Sequence, residues 1–164
     1  MLTMKRAAAF MLALLASLSL APAQAQPTRE TPYWASIASG EAMMRAGPGQ
    51  NYPGIWLYVR RDLPVRVIEV YQSWRKIEDP DGTSGWMLVN LLSDTRTAIV
   101  RGNGPRPMHE RPDAAAPVRF RAEPGVVGRI SQCANGWCRL DVGGRAGFIR
   151  SEDIWGIGRG ETVG

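Results

Sequence analysis

The second half of this 164-residue chain repeats the first at an offset of about 62 to 64 residues. Ile37 corresponds to Ile99, Met44 to Met108 and Pro48 to Pro112. Further on, Trp74 corresponds to Trp137, Ile77 to Leu140 and Gly85-Trp86 to Gly147-Phe148. Self-similarity at a fixed offset means one structural unit used twice. Each unit must therefore close its core within about 60 residues, where little apolar surface is buried per residue. Inside each copy, Pro and Gly, 12 and 18 in all, cut the chain into short runs rich in Val, Ile, Tyr and Trp. That is the pattern of strands and turns, not of helices. The expected fold class is all-β, with small units at 33–95 and 96–157, a flexible leader at 26–32 and a flexible Gly-rich tail at 158–164. No Pro-rich or Gly/Ser linker separates the units, so they are expected to dock on one another.

In the first copy, strands are expected at 35–38, 42–45, 55–60, 65–71, 74–78 and 85–89, followed by a 3₁₀ turn at 90–92. Along 65–71 the hydrophobic alternation slips phase at Val67-Ile68. A bulge or a sharp strand bend produces such a slip.

Several motifs sit on this frame: an Arg-x-Gly-Pro turn at Arg45 to Pro48, Tyr52-Pro53, Trp74 opening a strand, and a closing Gly85-Trp86-Met87-Leu88. With them come Trp56-x-Tyr58-x-Arg60-Arg61 and Arg96-Thr97-Ala98-Ile99-Val100. The second copy carries Glu123-Pro124-Gly125-Val126-Val127 and Gly136-Trp137-Cys138-Arg139. Together these resemble the bacterial SH3-like (SH3b) family. The resemblance implies two tandem small SH3-like β-barrels and covers nearly all of the chain beyond the leader.

The start of the chain reads as an export signal. Lys5-Arg6 precede an uncharged apolar run, 7–20, and then Ala23-Gln24-Ala25. A positive n-region, a short h-region and an Ala-x-Ala site predict a signal peptide, 1–25, cut after Ala25. The run is shorter than the roughly 20 residues that span a bilayer. The expected location is the periplasm or outside the cell, with no membrane span after cleavage. With Lys5 and Arg6 removed, 18 of the 20 basic residues face 15 acidic ones, a net +3 instead of +5. These bases are spread along the chain among acids, which argues against a nucleic-acid partner.

Cys133 and Cys138 flank Ala134-Asn135-Gly136-Trp137. Asn-Gly favours a two-residue type I′ hairpin, in which Ala134 faces Trp137 and Cys133 faces Cys138. Such a pair has Cα atoms about 4.5 Å apart, within disulfide range in an oxidising compartment. The spacing differs from a Cys-x-x-Cys redox pair, and further ligands for zinc are missing. No cofactor or metal is expected.

The catalytic inventory is thin. The one histidine, His109, is expected on the surface, and no Gly-x-Ser-x-Gly or phosphate loop is present. Glu78, Asp79 and Asp81 cluster, but Asp79-Pro80-Asp81-Gly82 is also the residue set of a tight turn. An enzyme is not expected. For binding, strand alternation from a core-facing Ile77 turns Trp74 to the other face, outward or into a groove. The resemblance also matches Trp74 to the tryptophan lining the peptide groove of eukaryotic SH3 domains, and Trp86 to the closing aromatic. Tyr52, Trp56 and Tyr58 add aromatic surface, and Asp79 and Asp81 stand where they rim it. Planar aromatics suit sugar rings or apolar side chains; the alternative is that these rings pack between the barrels. The segment 87–91 lacks the Pro and Tyr with which eukaryotic SH3 domains grip polyproline. The expected function is an envelope-binding module taking cell-wall glycan or peptide. The alternative is an adaptor for a periplasmic protein, and the least favoured is an accessory of a wall hydrolase with its own activity.

Overall fold

The computed structural model describes residues 29–164; the expected signal peptide and residues 26–28 of the leader lie outside the described residues. Fourteen strands follow in order: β1 (Tyr33–Ile37), β2 (Ala42–Arg45), β3 (Gly54–Tyr58), β4 (Pro64–Tyr71), β5 (Trp74–Glu78), β6 (Ser84–Leu88), β7 (Leu92–Ser93), β8 (Thr97–Val100), β9 (Arg106–His109), β10 (Val118–Ala122), β11 (Val127–Ala134), β12 (Trp137–Val142), β13 (Arg145–Arg150) and β14 (Ile154–Trp155). Short 3₁₀ turns, Val89–Leu91 and Ser151–Asp153, precede β7 and β14. No helix among the described residues is long and apolar enough to cross a membrane.

The strands form two seven-stranded antiparallel sheets of one topology, β3-β2-β6-β5-β4-β1-β7 and β10-β9-β13-β12-β11-β8-β14. Each wraps its own core. Ile37, Met44, Val65, Val67, Ile77 and Met87 fill the first; Val100, Met108, Leu140 and Ile149 anchor the second. The phase slip read at Val67-Ile68 is a bulge: the β4–β5 register shifts between Val67 and Glu69. The second sheet repeats it between Ile130 and Gln132. The Gly of the closing Gly-aromatic pair is dictated by packing. A Cβ on Gly85 would stand 2.9 Å from the Arg45 carbonyl, and one on Gly147 2.9 Å from the Met108 Cβ. Only glycine lets β6 and β13 approach their neighbours this closely.

One alignment in the repeat needs correction. Ile37 N–H donates to the Leu63 carbonyl as Val100 N–H donates to that of Val126, so Ile37 is equivalent to Val100, not Ile99. A one-residue slip reverses the face of every side chain. Ile99 therefore leaves its own barrel and, with Val127, packs against the core of the first.

The barrels meet through further contacts. Trp34 and Trp155 stack edge-to-face with centroids 4.7 Å apart. Arg60 donates to the Gly125 carbonyl at 2.7 Å, Arg101 to the Pro80 carbonyl, and Arg129 pairs with Asp62 at 3.6 Å.

The Asn135-Gly136 turn has φ of 52° and 79°, and Cys133 and Cys138 are bridged with Cα atoms 4.1 Å apart. Because this pair is non-hydrogen-bonded, the Cys133 amide and carbonyl face the other way. Val163 takes both, at 2.8 and 3.0 Å. The tail expected to be flexible is thus strapped to the barrel. Glu161 adds a 2.6 Å ion pair to Arg96. The described end of the leader is tied as well, with Arg29 paired to Asp94 at 3.0 Å.

Candidate functional site: a cleft between the two barrels

The sequence singled out seven residues as ligand contacts, and the structure divides them. Trp56, Tyr58, Asp79 and Asp81 line one cleft of about 550 Å³ at the seam of the barrels. Its other wall comes from the second copy, Ile99 to Gly102 with Pro124 and Gly125. Trp56 supplies the open ring, 57% exposed, with Leu57 and Val59 beside it. Tyr58 lies 6.4 Å from the Trp56 ring, buried beneath it.

Asp79 organises the floor. Its Oδ1 accepts the amides of Asp81 and Thr83 at 3.0 and 2.8 Å, and Oδ2 accepts the Tyr58 hydroxyl at 2.9 Å. The Gly82 amide closes the turn onto the Asp79 carbonyl. Asp79 is thus a buried turn anchor whose acceptors are spent, not a rim contact; Asp81 remains exposed at the mouth. Burial, then the hydrogen bond to Asp79 and the charges of Asp79 and Asp81, hold the Tyr58 phenol well above its ordinary range. Tyr58 is consequently a neutral donor.

Two residues not singled out as contacts complete the cleft: Arg60 and Arg101. Among the described residues, the Arg and Lys side chains within ion-pair distance of a carboxylate are those of Arg29, Arg66, Lys76, Arg96, Arg106 and Arg129. Arg60 and Arg101 are fixed instead by backbone carbonyls, so no acid neutralises them. Their signal in the sequence was faint, because the surface that uses them forms only when the copies dock.

The other candidates stand elsewhere. Trp74 does leave the core cluster that holds Ile77, as alternation required. It is nevertheless only 8% exposed, since its cross-strand partners Tyr71 and Leu88 share that outer face. The expectation of an open groove tryptophan is corrected: the ring is packed. Trp86 is likewise buried, edge-on to Tyr71 at 6.5 Å. Tyr52 is exposed but lies against the Gly47–Gly49 loop, where a Cβ on Gly47 would sit 2.4 Å from its ring. The rings that do pack between the barrels are Trp34 and Trp155, which the sequence reading had not singled out.

His109 is buried, not on the surface. Its Nδ1 is 2.8 Å from the Ala116 carbonyl and its ring meets Trp137 edge-on at 5.4 Å. No group of three or more His, Cys, Asp and Glu suited to a metal ion occurs among the described residues.

Known proteins resemble this chain in part. The "Putative N-acetylmuramoyl-L-alanine amidase YrvJ" of Bacillus subtilis (strain 168) is 25% identical over 132 residues, covering 73% of this chain and 25% of the relative. The chain thus spans about a quarter of that protein's length. Among solved structures, NlpC2 and NlpC1 from Trichomonas vaginalis align with TM-scores of 0.34 and 0.33 at 13% and 12% identity. They cover 78% and 79% of this chain and 49% and 47% of theirs. The family model described as Bacterial SH3 domain matches twice, over residues 38–94 and 103–156. With one match on each barrel, the chain belongs to the bacterial SH3 domain family and carries the domain in tandem.

Proposed function

We propose that this chain is a non-catalytic, exported binding module that holds cell-wall peptidoglycan in the cleft between its barrels. The observation that carries this reading is the cleft itself: an open tryptophan face beside two uncompensated guanidinium groups and one exposed carboxylate. An indole face matches the apolar face of a sugar ring. Guanidinium forks match carboxylates, and Asp81 suits an ammonium group. A polymer of sugars and short charged peptides presents all three. The relative's name places it on an N-acetylmuramoyl-L-alanine linkage, which joins those two chemistries. The disulfide fits an oxidising compartment outside the cytoplasm. His109, buried on a carbonyl, and Asp79, which accepts three hydrogen bonds, are both engaged in holding the fold.

The test is co-sedimentation of residues 26–164 with purified sacculi. Trp56→Ala should weaken pelleting by about tenfold while its melting temperature stays within about 2 °C, because the ring is exposed. Arg101→Ala should weaken pelleting in the same way. Wild-type protein that stays in the supernatant, or a Trp56→Ala variant that pellets like wild type, overturns the reading.

A further inference from the structure

The two sheets end in equivalent edge strands, β3 and β10, but the sequences of those edges are opposites. β10 carries Arg119 and Arg121 on exposed positions, and the Arg145 guanidinium covers the Phe120 ring at 4.6 Å. Charges of this kind keep a free edge from pairing with another chain. β3 has none of them. From Asn51 to Val59 no residue is charged, and Ile55, Trp56, Leu57 and Val59 are 45%, 57%, 46% and 71% exposed. β3 pairs with β2 on one side only, so its outer backbone groups face away from the sheet. An uncharged, apolar, unpaired edge is a template for an added strand.

We propose that the outer edge of β3 pairs with the same edge of a second copy of this chain, antiparallel and centred on Leu57. The charge pattern selects this occupant. The basic pair Arg60-Arg61 stands at one end of the strand only. Antiparallel pairing sends the two basic pairs to opposite ends of the ribbon, against the uncharged Pro53 and Gly54 of the other copy; parallel pairing would stack like charges. In the Leu57-centred register, Trp56 faces Tyr58 and Ile55 faces Val59 on each side. Every central pair is then aromatic or aliphatic, the combinations that stabilise cross-strand contacts. Like faces stay together across such a pair, so both Trp56 rings stand on one surface and the dimer is bivalent.

Analytical ultracentrifugation of the chain without wall material tests this independently of ligand binding. Wild type should convert from monomer to dimer over roughly 10–100 μM. Leu57→Lys, which sets two cations face to face at the dyad, should raise the dissociation constant at least about tenfold. Leu57→Cys should form a symmetric disulfide-linked dimer on mild oxidation, because opposed residues of an antiparallel pair lie within disulfide reach. Val118→Cys on β10, 44% exposed in wild type, should not. A wild type that stays monomeric throughout this range overturns the proposal and leaves the edge to another protein's strand or to this chain's residues 1–28. Equal cross-linking of the two cysteine variants overturns it as well.

Discussion

Tyr58 and Asp79 show what one hydrogen bond can settle. A buried carboxylate needs its lone pairs filled; two backbone amides of its own turn and one phenol from β3 fill them. Burial and the adjacent carboxylates raise the phenol's pKa. A raised folded-state value means that the contribution is complete below the unfolded phenol's value, about 10, and is lost as pH rises above it. Denaturation midpoints measured between pH 7 and pH 11 should therefore fall at the alkaline end. In Tyr58→Phe that fall should shrink, and the variant should lose about 1–2 kcal/mol at pH 7. Trp74 belongs to the same scale. Truncating this packed ring to alanine should cost about 3–5 kcal/mol, read as a lowered denaturant midpoint, whereas Trp56→Ala should cost little. The turn role of Asp79 was legible because Asp-Pro-Asp-Gly is local chemistry. The accessibility of Trp74 was not, since alternation along β5 reports which face a residue takes and nothing about what covers that face.

Among the elements, the hairpin of β11 and β12 was legible to the register. Asn-Gly selects the turn, the turn selects the pairing, and the pairing brings Cys133 to Cys138. Closing so short a loop constrains the unfolded chain by about 2 kcal/mol. Reduction, or Cys138→Ser, should lower stability by that amount without changing the strand content seen by circular dichroism. A loss of strand signal on reduction would show that the bridge holds the barrel together. The bulge in β4 was legible for a similar reason, because a phase slip in a period-2 pattern has few physical causes. The strand-like pairing of Val163 was not. It joins residues 30 apart through backbone groups alone, and Gly-rich sequence around a single valine offers no periodicity to read.

The whole molecule is held by contacts that exist only once the copies dock. Trp34 against Trp155, Ile99 against the first core, and Arg60 and Arg101 on carbonyls of the opposite barrel all join different repeats. A repeat announces its units by self-similarity, but the surface between units is where the copies must differ, so the repeat signal is silent there. The absence of a linker indicated docking and nothing about its geometry. Glu161 gathers this seam. Burial alone would raise its pKa, but hydrogen bonds from Arg96 and the Gly158 amide, with the Arg96 charge and a smaller effect of the Trp34 side chain, outweigh that and lower it. Trp34 of the first barrel lines one cavity with Arg96, Gly158 and Glu161 of the second barrel and its tail. A depressed folded-state pKa contributes stability that is present above the unfolded carboxylate's value and is lost as pH falls through the folded one. Glu161→Gln keeps the side-chain size and removes the charge. At pH 7 it should be less stable than wild type by about 1–2 kcal/mol, measured by urea denaturation. As the pH falls through the lowered pKa of the folded carboxyl the two proteins should converge, because the wild-type side chain then takes up its proton. A gap that keeps the same size from pH 7 down through the acid range would show that Glu161 holds the tail by shape alone, and that its charge adds nothing to the seam.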